Sequence, residues 1–486
     1  MSEKLLSVLF CGSVALLPAG LTAASVSNVA WSQDADSRVV TVDYTLSGAP
    51  AVVTFDFLTN GVSIGGENLT GGNEPKPQPQ GDVFRLVESN GPHSFTWRPD
   101  RTWSDHVATG QLVVKAWATD DPPDYMSLMV EPNSGDPVTF YPAVEWLPGG
   151  VLSNPVYRTG AILMRRIHAA NVPWNMGTYA AVGSKSLENI MNPVIERMHQ
   201  VTLTNDYYIA VFEFTRGQGD RVGGFGASGG LFDLSTAMRP ADNDFGYHSI
   251  REATNGAPLG ANAKAIPQYQ YPNPPSPDGT LGRLRTRFGL AFDFPSEAQW
   301  EFAARAGHGD GYWPDGSPYA WFNATTQTYG KVDATYWLQD ANLKARYRYD
   351  CATPETPAGA SYSTAGTTNG TNIVGSYPPN DFGLYDMLGN ISEWCLDWYA
   401  KDISSLNGAV NANGSYLADG VTVGQKRVFR GGCYTSYAYC CLPQHRQEGG
   451  TGTFFSDANT AKSPYGRGFT VGLRLCCPAD VSGLVR

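Results

Sequence analysis

The chain has 486 residues, a formal net charge of −11, 12% aromatic residues and only 16% charged residues. Its aromatic content excludes a disordered chain, and its low charge excludes a coiled coil or helical bundle, which would carry many more Glu and Lys. An acidic chain without a basic run is also a poor ligand for nucleic-acid backbones, so no nucleic-acid partner is expected. The length instead suggests about two or three domains, each large enough to bury a core.

Residues 1–25 have the features of an export signal. Lys4 supplies the positive start, residues 5–17 form an apolar run, and small residues at 22–24 suit a cleavage site. The apolar run is short for a bilayer span, and no second segment of transmembrane character follows it. We therefore expect an exported protein (periplasmic, cell-surface or secreted) without a transmembrane segment. The alternative is a buried N-terminal helix.

Residues 26–132 show the period-two pattern of β-strands. Apolar and polar residues alternate over 40–46, 53–57 and 112–118, and Gly, Asn, Asp and Pro separate these runs. Short alternating runs with frequent turn signals predict an antiparallel β-sandwich, here a spacer or docking module. Residues 133–157, rich in Pro, Gly and aromatic residues, are predicted to be a connector.

One helix is clearly predicted beyond the connector, at residues 295–307. Ser296 is a good N-cap, Gln299 completes a capping box, and Gly307 can end the helix. The surrounding sequence is loop-like, as in the Pro-rich stretch 271–279. Long loops in a compact domain need stabilisation by buried aromatic residues, ions or disulfides.

The cysteines concentrate near the C-terminal end of the chain. Cys11 lies in the predicted signal, and the others are Cys351, Cys395, Cys433, Cys440, Cys441, Cys476 and Cys477. Export makes disulfides possible, although the odd number leaves at least one thiol free or paired with another chain. The spacings do not resemble those of a zinc site.

Four ordered blocks carry a resemblance to a known family. They are MRRIHAANVPWNMG at 164–177, HQVTLTNDYYIAVFEFT at 199–215, FPSEAQWEFAAR at 294–305 and NDFGLYDMLGNISEW at 380–394, with VFRGG at 428–432 and GFTVGLR at 468–474. Residues 158–478 therefore resemble the formylglycine-generating enzyme family, also called the sulfatase-modifying factor domain. The resemblance implies an irregular α+β, C-type-lectin-like fold, with residues 479–486 as a tail. The whole chain is then a multi-domain protein, with the β-sandwich first.

The fourth block also has the composition of a calcium site. Asp386 and Glu393 can offer carboxylates and Gly389 and Ile391 can offer main-chain carbonyls, all oxygen ligands of the kind that Ca²⁺ prefers. The family has a calcium site at this spacing, so calcium is the expected ion. Alternatively, Asp386 caps a turn and Glu393 pairs with an arginine. A second family site would fall on Asn342 and Leu343.

The residues that bind copper in the family are only partly matched in this sequence. The formylglycine-generating enzyme oxidises a substrate cysteine with O₂ and a copper ion held by two thiolates, which suit Cu(I). The family's cysteine pair aligns with Ser436 and Cys441, so one thiolate is missing. Cys433 with Cys440 or Cys441 is the nearest substitute pair. Copper is therefore expected only if oxidase activity persists, and no catalytic residue is assigned beyond the candidates Cys433, Ser436 and Cys441.

The same fold serves in the family's relatives as a display scaffold on surface receptors. Tyr434, Tyr437, Tyr439 and Arg446 lie in the stretch that, by this resemblance, corresponds to the family's active face, and Tyr makes adaptable contacts at low entropic cost. Alternatively, these aromatic residues fill the core. We expect a calcium-stabilised binding module for a protein or glycan ligand at the C-terminal loop face. The alternatives are a formylglycine-generating oxidase with a remodelled cysteine site and a structural envelope protein. The ligand, disulfide pairing and oligomeric state are left open.

Overall fold

The computed structural model describes residues 23–71, 79–103, 109–131, 137–177, 198–223, 237–241, 250–251, 267–269, 271, 273–308, 322–323, 328–329, 371–399, 406–411, 427–433, 441–449 and 471–484. This part of the chain is rich in β-structure, with several antiparallel sheets and few helices. The α-helices are α1 (Gly66–Thr70), α2 (Arg216–Val222), α3 (Thr280–Phe288) and α4 (Glu297–Arg305). None of the helices in the described ranges has the length and apolar character needed to cross a membrane.

The strands of the first part of the chain form two sheets. They are β1 (Ser25–Gln33), β2 (Val40–Ser47), β3 (Ala51–Thr59), β4 (Val62–Ser63), β5 (Gln80–Gly81), β6 (Arg85–Val87), β7 (Gly91–Trp97) and β8 (Gln111–Ala118). One sheet has the order β1-β2-β7-β5, and the other has the order β4-β3-β6 with β8 also on β3. We call these two sheets the N-terminal sheets.

The alternation of apolar and polar residues in the sequence determines which side chains form the core of the N-terminal sheets. Val40 and Val42 on β2 are fully buried, while Thr41 between them is exposed. Side chains of both sheets enter one buried cluster, in which the ring of Phe55 lies 4.9 Å from that of Phe95 and 5.5 Å from that of Trp97. The predicted strands over 40–46, 53–57 and 112–118 are confirmed. The finer assignment to a β-sandwich stays a prediction.

The remaining strands belong to what we call the C-terminal body, which starts at residue 125. They are β9 (Tyr125–Met129), β10 (Val138–Tyr141), β11 (Ala161–Ile167), β12 (Val172–Met176), β13 (His199–Leu203), β14 (Tyr207–Ala210), β15 (Phe322–Asn323), β16 (Thr328–Tyr329), β17 (Ser392–Trp398), β18 (Ala409–Val410), β19 (Arg427–Arg430), β20 (Gln447–Gly449), β21 (Val471–Gly472) and β22 (Cys476–Pro478).

A five-stranded sheet of order β10-β9-β11-β14-β22 organises the C-terminal body. Its neighbouring strands are antiparallel, and β14 pairs Tyr208 with Cys477 near the end of the chain. Strand β9 comes from the end of the predicted 26–132 domain, and β10 comes from the predicted connector. The sheet therefore crosses the boundary predicted at residue 158.

Helix α4 forms where the sequence predicts a helix. The Ser296 side chain accepts from the Gln299 N–H at 3.1 Å, and the Gln299 side chain accepts from the Ser296 N–H at 2.9 Å. The predicted capping box is thereby confirmed. The C-cap is Ala306, at a left-handed φ of 51°. Trp300 and Ala303 are fully buried in a cluster that includes Cys395 on β17. This packing places α4 beside a four-stranded sheet of order β20-β19-β17-β21, which carries the candidate site.

Candidate functional site

The segment 386–393 forms a tight loop that leads into β17. Asp386, Gly389 and Asn390 have φ angles of 56°, 81° and 59°, in the left-handed region that Gly, Asn and Asp tolerate best. The Gly389 N–H donates to the carbonyl of Gly431 at 2.7 Å. The loop is thus held against the Gly-Gly segment that follows β19.

Asp386 is buried and incompletely bonded. Its Oδ2 accepts from the Gly375 N–H at 2.5 Å, whereas its Oδ1 has no hydrogen-bond partner among the described residues. Burial raises the pKa of Asp386 to about 6, although the Gly375 N–H and Arg474 favour the ionised form. A buried acceptor without a donor is costly, and a cation at Oδ1 would offset that cost.

Glu393 is fully engaged by two side chains. Arg474 Nε lies 3.0 Å from both carboxylate oxygens, and Arg474 Nη2 donates to Oε1 at 2.7 Å. The Trp300 indole N–H donates to Oε2 at 2.6 Å. The alternative prediction that Glu393 pairs with an arginine is therefore confirmed. A metal ion that used Glu393 would have to share its carboxylate with Arg474.

A third buried carboxylate, Glu213, was not identified from the sequence. Its Oε1 accepts from the Ile391 N–H at 3.1 Å, and its Oε2 accepts from the Asn390 side-chain amide at 2.6 Å. Burial raises the pKa of Glu213 well above its usual range, and the charges of Asp386 and Glu393 raise it further. The available signal was an acidic residue inside the apolar run 211–214, since such a residue must find partners in the core.

The negative and positive charges of the four ionisable side chains around the loop do not cancel. Glu213, Asp386 and Glu393 supply three carboxylates against the single guanidinium of Arg474, and all four side chains are buried. An excess of buried negative charge favours either protonation or a bound cation. The described residues hold no group of three or more His, Cys, Asp or Glu arranged to bind a metal ion. A calcium ion here would therefore depend on main-chain carbonyls such as those of Gly389 and Ile391.

Several predicted site residues lie outside the described residues. These are Asn342 and Leu343 of the second calcium site, Ser436 of the candidate copper pair, and Tyr434, Tyr437 and Tyr439 of the predicted binding face. Their predictions are neither supported nor opposed by the geometry.

The cysteines within the described ranges are buried. Cys433 and Cys441, at the two ends of segment 434–440, are 0% and 3% exposed. Cys395, Cys476 and Cys477 are free thiols, and burial raises the pKa of each above its usual range. Protonated, buried thiols are poor nucleophiles and poor metal ligands. The predicted disulfides thus do not involve these three cysteines, whereas Cys351 and Cys440 lie outside the described residues.

Arg446, a predicted ligand-binding residue, lies in a buried ion network on α4. Its Nη2 donates to Glu297 Oε2 at 2.9 Å, and its side chain is 1% exposed. Arg430 Nη2 lies 2.8 Å from Glu297 Oε1 and 2.8 Å from Glu301 Oε2. Arg430 Nη1 also donates to the Pro443 carbonyl at 2.8 Å. The network therefore fixes the chain on both sides of segment 434–440 to α4.

The fold and the loop define a β-rich domain in which one capped helix packs against a buried acidic turn. Residues 249–459 match the family model of the sulfatase-modifying factor enzyme 1-like domain, so the chain carries a domain of the formylglycine-generating enzyme family.

Known proteins match parts of the chain. The serine/threonine-protein kinase pkn1 of Chlamydia pneumoniae is 36% identical over 141 residues, which are 28% of this chain and 21% of that protein. The formylglycine-generating enzyme of Streptomyces coelicolor is 31% identical over 147 residues, which are 30% of this chain and 37% of that protein. Among solved structures, Treponema denticola variable protein 1 aligns at 22% identity with a TM-score of 0.36, covering 65% of this chain and 95% of that chain. The chain thus spans well under half the length of these two curated relatives.

Proposed function

We propose that this protein is an exported binding module whose C-terminal domain is stabilised by Ca²⁺ and whose copper-dependent cysteine oxidation is not intact. In this proposal, a β-sandwich precedes a C-type-lectin-like domain, and the C-terminal loop face binds a protein or glycan ligand. The observation that carries the proposal is the unpartnered, buried Oδ1 of Asp386 in a region with an excess of carboxylates.

The donor set suits a hard cation. Asp386 would hold Ca²⁺ together with the main-chain carbonyls of Gly389 and Ile391, because Ca²⁺ prefers oxygen ligands and accepts a mixture of charged and neutral ones. Glu393 would contribute while remaining paired with Arg474. When bound, the ion would supply the positive charge that the buried loop lacks.

The ion network of α4 fixes the chain on both sides of the segment proposed to bind the ligand. Arg430 and Arg446 stand on either side of segment 434–440, and both are buried on Glu297. A rigid base lowers the entropy that is lost on binding, which favours a recognition surface at this place. Tyr434, Tyr437 and Tyr439 are the residues proposed to contact the ligand.

Calorimetric titration of Ca²⁺ into metal-stripped protein tests the metal site. We expect one site in the wild type and no measurable site in Asp386→Asn. Asp381→Asn is the matched control, since Asp381 lies in the same segment but is 55% exposed and pairs with His308. Absence of Ca²⁺ binding by the wild type, or equal binding by Asp386→Asn, would refute the site.

The second candidate is a formylglycine-generating oxidase with a remodelled cysteine pair. It is favoured by the burial of Cys433 and Cys441 at the two ends of one short segment. It is disfavoured by Ser436, since a hydroxyl is a poor ligand for Cu(I) compared with a thiolate. Anaerobic Cu(I) titration separates the two functions. Tight 1:1 binding that is lost in Cys441→Ser, together with oxidation of a Cys-containing sulfatase peptide, would establish the oxidase, whereas weak binding supports the binding module.

A further inference from the structure

Residues 119–124 form the linker between β8 and β9, and so join the N-terminal sheets to the C-terminal body. The linker has the sequence Thr-Asp-Asp-Pro-Pro-Asp. Its two prolines have no N–H and disfavour helical geometry in the preceding residue, so the linker cannot form a regular ladder. An ordinary linker of this composition would leave its carbonyl oxygens to water.

Here the linker carbonyls are bound by protein. Four of them accept hydrogen bonds from the C-terminal body: Thr119 O from Val481 N at 2.9 Å, Pro122 O from Arg166 Nη1 at 2.6 Å, Pro123 O from the Tyr208 hydroxyl, and Asp124 O from Arg166 N at 2.8 Å. The donors come from β11, from β14 and from the segment after β22. Because these elements are far apart in sequence, the contacts depend on the folded C-terminal body.

Arg166 is the central residue of this arrangement. Its Nη1 lies 2.7 Å from Asp121 in the linker, and its Nε and Nη2 donate to Asp206 Oδ2 at 3.1 and 2.8 Å. The guanidinium is 7% exposed and Asp206 is 13% exposed, so solvent screens their charge-assisted bonds little. Asp121 is 73% exposed, so its pair with Arg166 contributes less. Asp206 also accepts from the N–H groups of Ala169 and Ala170 at 3.0 and 2.9 Å, which hold it in place independently of Arg166.

A second layer of polar contacts covers the end of the linker. Asp124 lies 2.5 Å from Arg165 Nη1 and 2.9 Å from His168 Nε2. His168 Nδ1 lies 3.0 Å from Asp206, so the histidine bridges the linker and the turn before β14. His168 is 56% exposed, and its contribution is therefore smaller than that of Arg166.

We propose that Arg166 clamps residues 119–124 onto the C-terminal body as a rigid strap, which adds to the buried cluster that the N-terminal sheets share with that body. Without the clamp, the linker would regain backbone freedom, and its carbonyls would turn to water. The strap is then held by long-range contacts and not by the local stiffness of its prolines.

Cleavage of the folded, full-length protein by endoproteinase Asp-N tests the clamp, since this protease cuts before Asp120, Asp121 and Asp124. In the wild type we expect the linker to resist cleavage. In Arg166→Ala we expect linker cleavage to rise about tenfold or more, as local opening becomes easy. Arg98→Ala, which removes an ion pair with Asp100 just after β7, is the control and should behave as wild type.

Cleavage before Asp56 on β3 reports global unfolding in the same digest. The clamp predicts that Arg166→Ala raises cleavage in the linker but not before Asp56. Rapid linker cleavage in the wild type, an unchanged rate in Arg166→Ala, or a parallel rise at both places would overturn the proposal. If Arg166→Ala does not fold, Tyr208→Phe removes the hydroxyl that binds Pro123 and keeps the ring. Faster linker cleavage in that variant would support the clamp, and an unchanged rate would refute it.

Discussion

At the residue scale, Arg474 connects parts of the chain that are distant in sequence. Its guanidinium neutralises Glu393 and donates to the carbonyls of Ala210, Val211 and Tyr385 at 2.9, 3.1 and 2.8 Å. The strand β14, the loop before Asp386 and β17 therefore meet at one buried cation. Removal of that cation would leave Glu393 buried without a counter-charge.

We accordingly expect Arg474→Met to lower the free energy of unfolding by about 3–5 kcal/mol, because an uncompensated buried charge is costly. Urea unfolding measures the effect. Arg221→Met is the control, since the ion pair of Arg221 with Glu131 is half exposed and contributes little. Replacement of Glu393 by Gln in the Arg474→Met background should recover part of the loss. A loss below about 1 kcal/mol in the single variant would contradict the central role of Arg474.

The sequence identified one side of this site but not the other. Asp386, Gly389, Ile391 and Glu393 lie within one short motif, so their spacing was visible. Glu213 contacts Asn390 across 177 residues of sequence, and Arg474 contacts Glu393 across 81. Such pairs are formed by tertiary packing and leave no local pattern, which is why Glu213 was not predicted and the arginine expected beside Glu393 was not identified.

At the element scale, α4 was predicted closely because its signals are local. The capping box requires only Ser296 and Gln299, three residues apart, and both reciprocal hydrogen bonds form. The predicted end of the helix is one residue late, since the C-cap is Ala306 and not Gly307. Glu301 pairs with Arg305 of the same helix, four residues on. Both Glu297 and Glu301 also pair with Arg430 from a later segment, and that partner could not be read from the helix.

The Ser296 N-cap of α4 leads to a quantitative prediction. Ser296→Ala should lower the free energy of unfolding by about 1 kcal/mol, because the Gln299 N–H then loses its acceptor. Ser94→Ala on β7 serves as the control, since Ser94 is exposed and lies in a strand. Equal unfolding free energies for the two variants would show that the cap does not stabilise α4.

At the scale of the whole molecule, the N-terminal sheets and the C-terminal body share buried surface. Phe55 and Phe84 of the first part lie in one cluster with Tyr141 and Phe212 of the second, and the Phe140 N–H donates to the Phe84 carbonyl at 2.8 Å. The sequence suggested separate domains because its patterns change near residue 133. The sheet β10-β9-β11-β14-β22 crosses that point. The crossing was not predicted, because composition does not show which strands pair with one another.

The ion pairs of the strap predict how stability responds to acid. Burial alone would raise the pKa of Asp206, but the Ala170 N–H and Arg166 outweigh it and hold the pKa below its usual range. A carboxylate with a lowered pKa stabilises the fold above its unfolded-state pKa of about 4, and this contribution is lost as the pH falls through its native value. Asp206→Asn should therefore lose less stability than the wild type as the pH falls below about 4. Urea unfolding at each pH measures this loss. The exposed control Asp43→Asn should keep the wild-type slope, and a wild-type slope in Asp206→Asn would argue against the ion pairs.

Thermal unfolding in Ca²⁺ and in chelator tests the central claim most directly. Ca²⁺ at about 100 times its dissociation constant should stabilise the wild type by about 2.7 kcal/mol and raise its melting temperature accordingly. Asp386→Asn should melt at one temperature in both conditions, while the control Asp381→Asn should respond as the wild type does. A wild-type melting temperature that is the same in Ca²⁺ and in chelator would contradict the account.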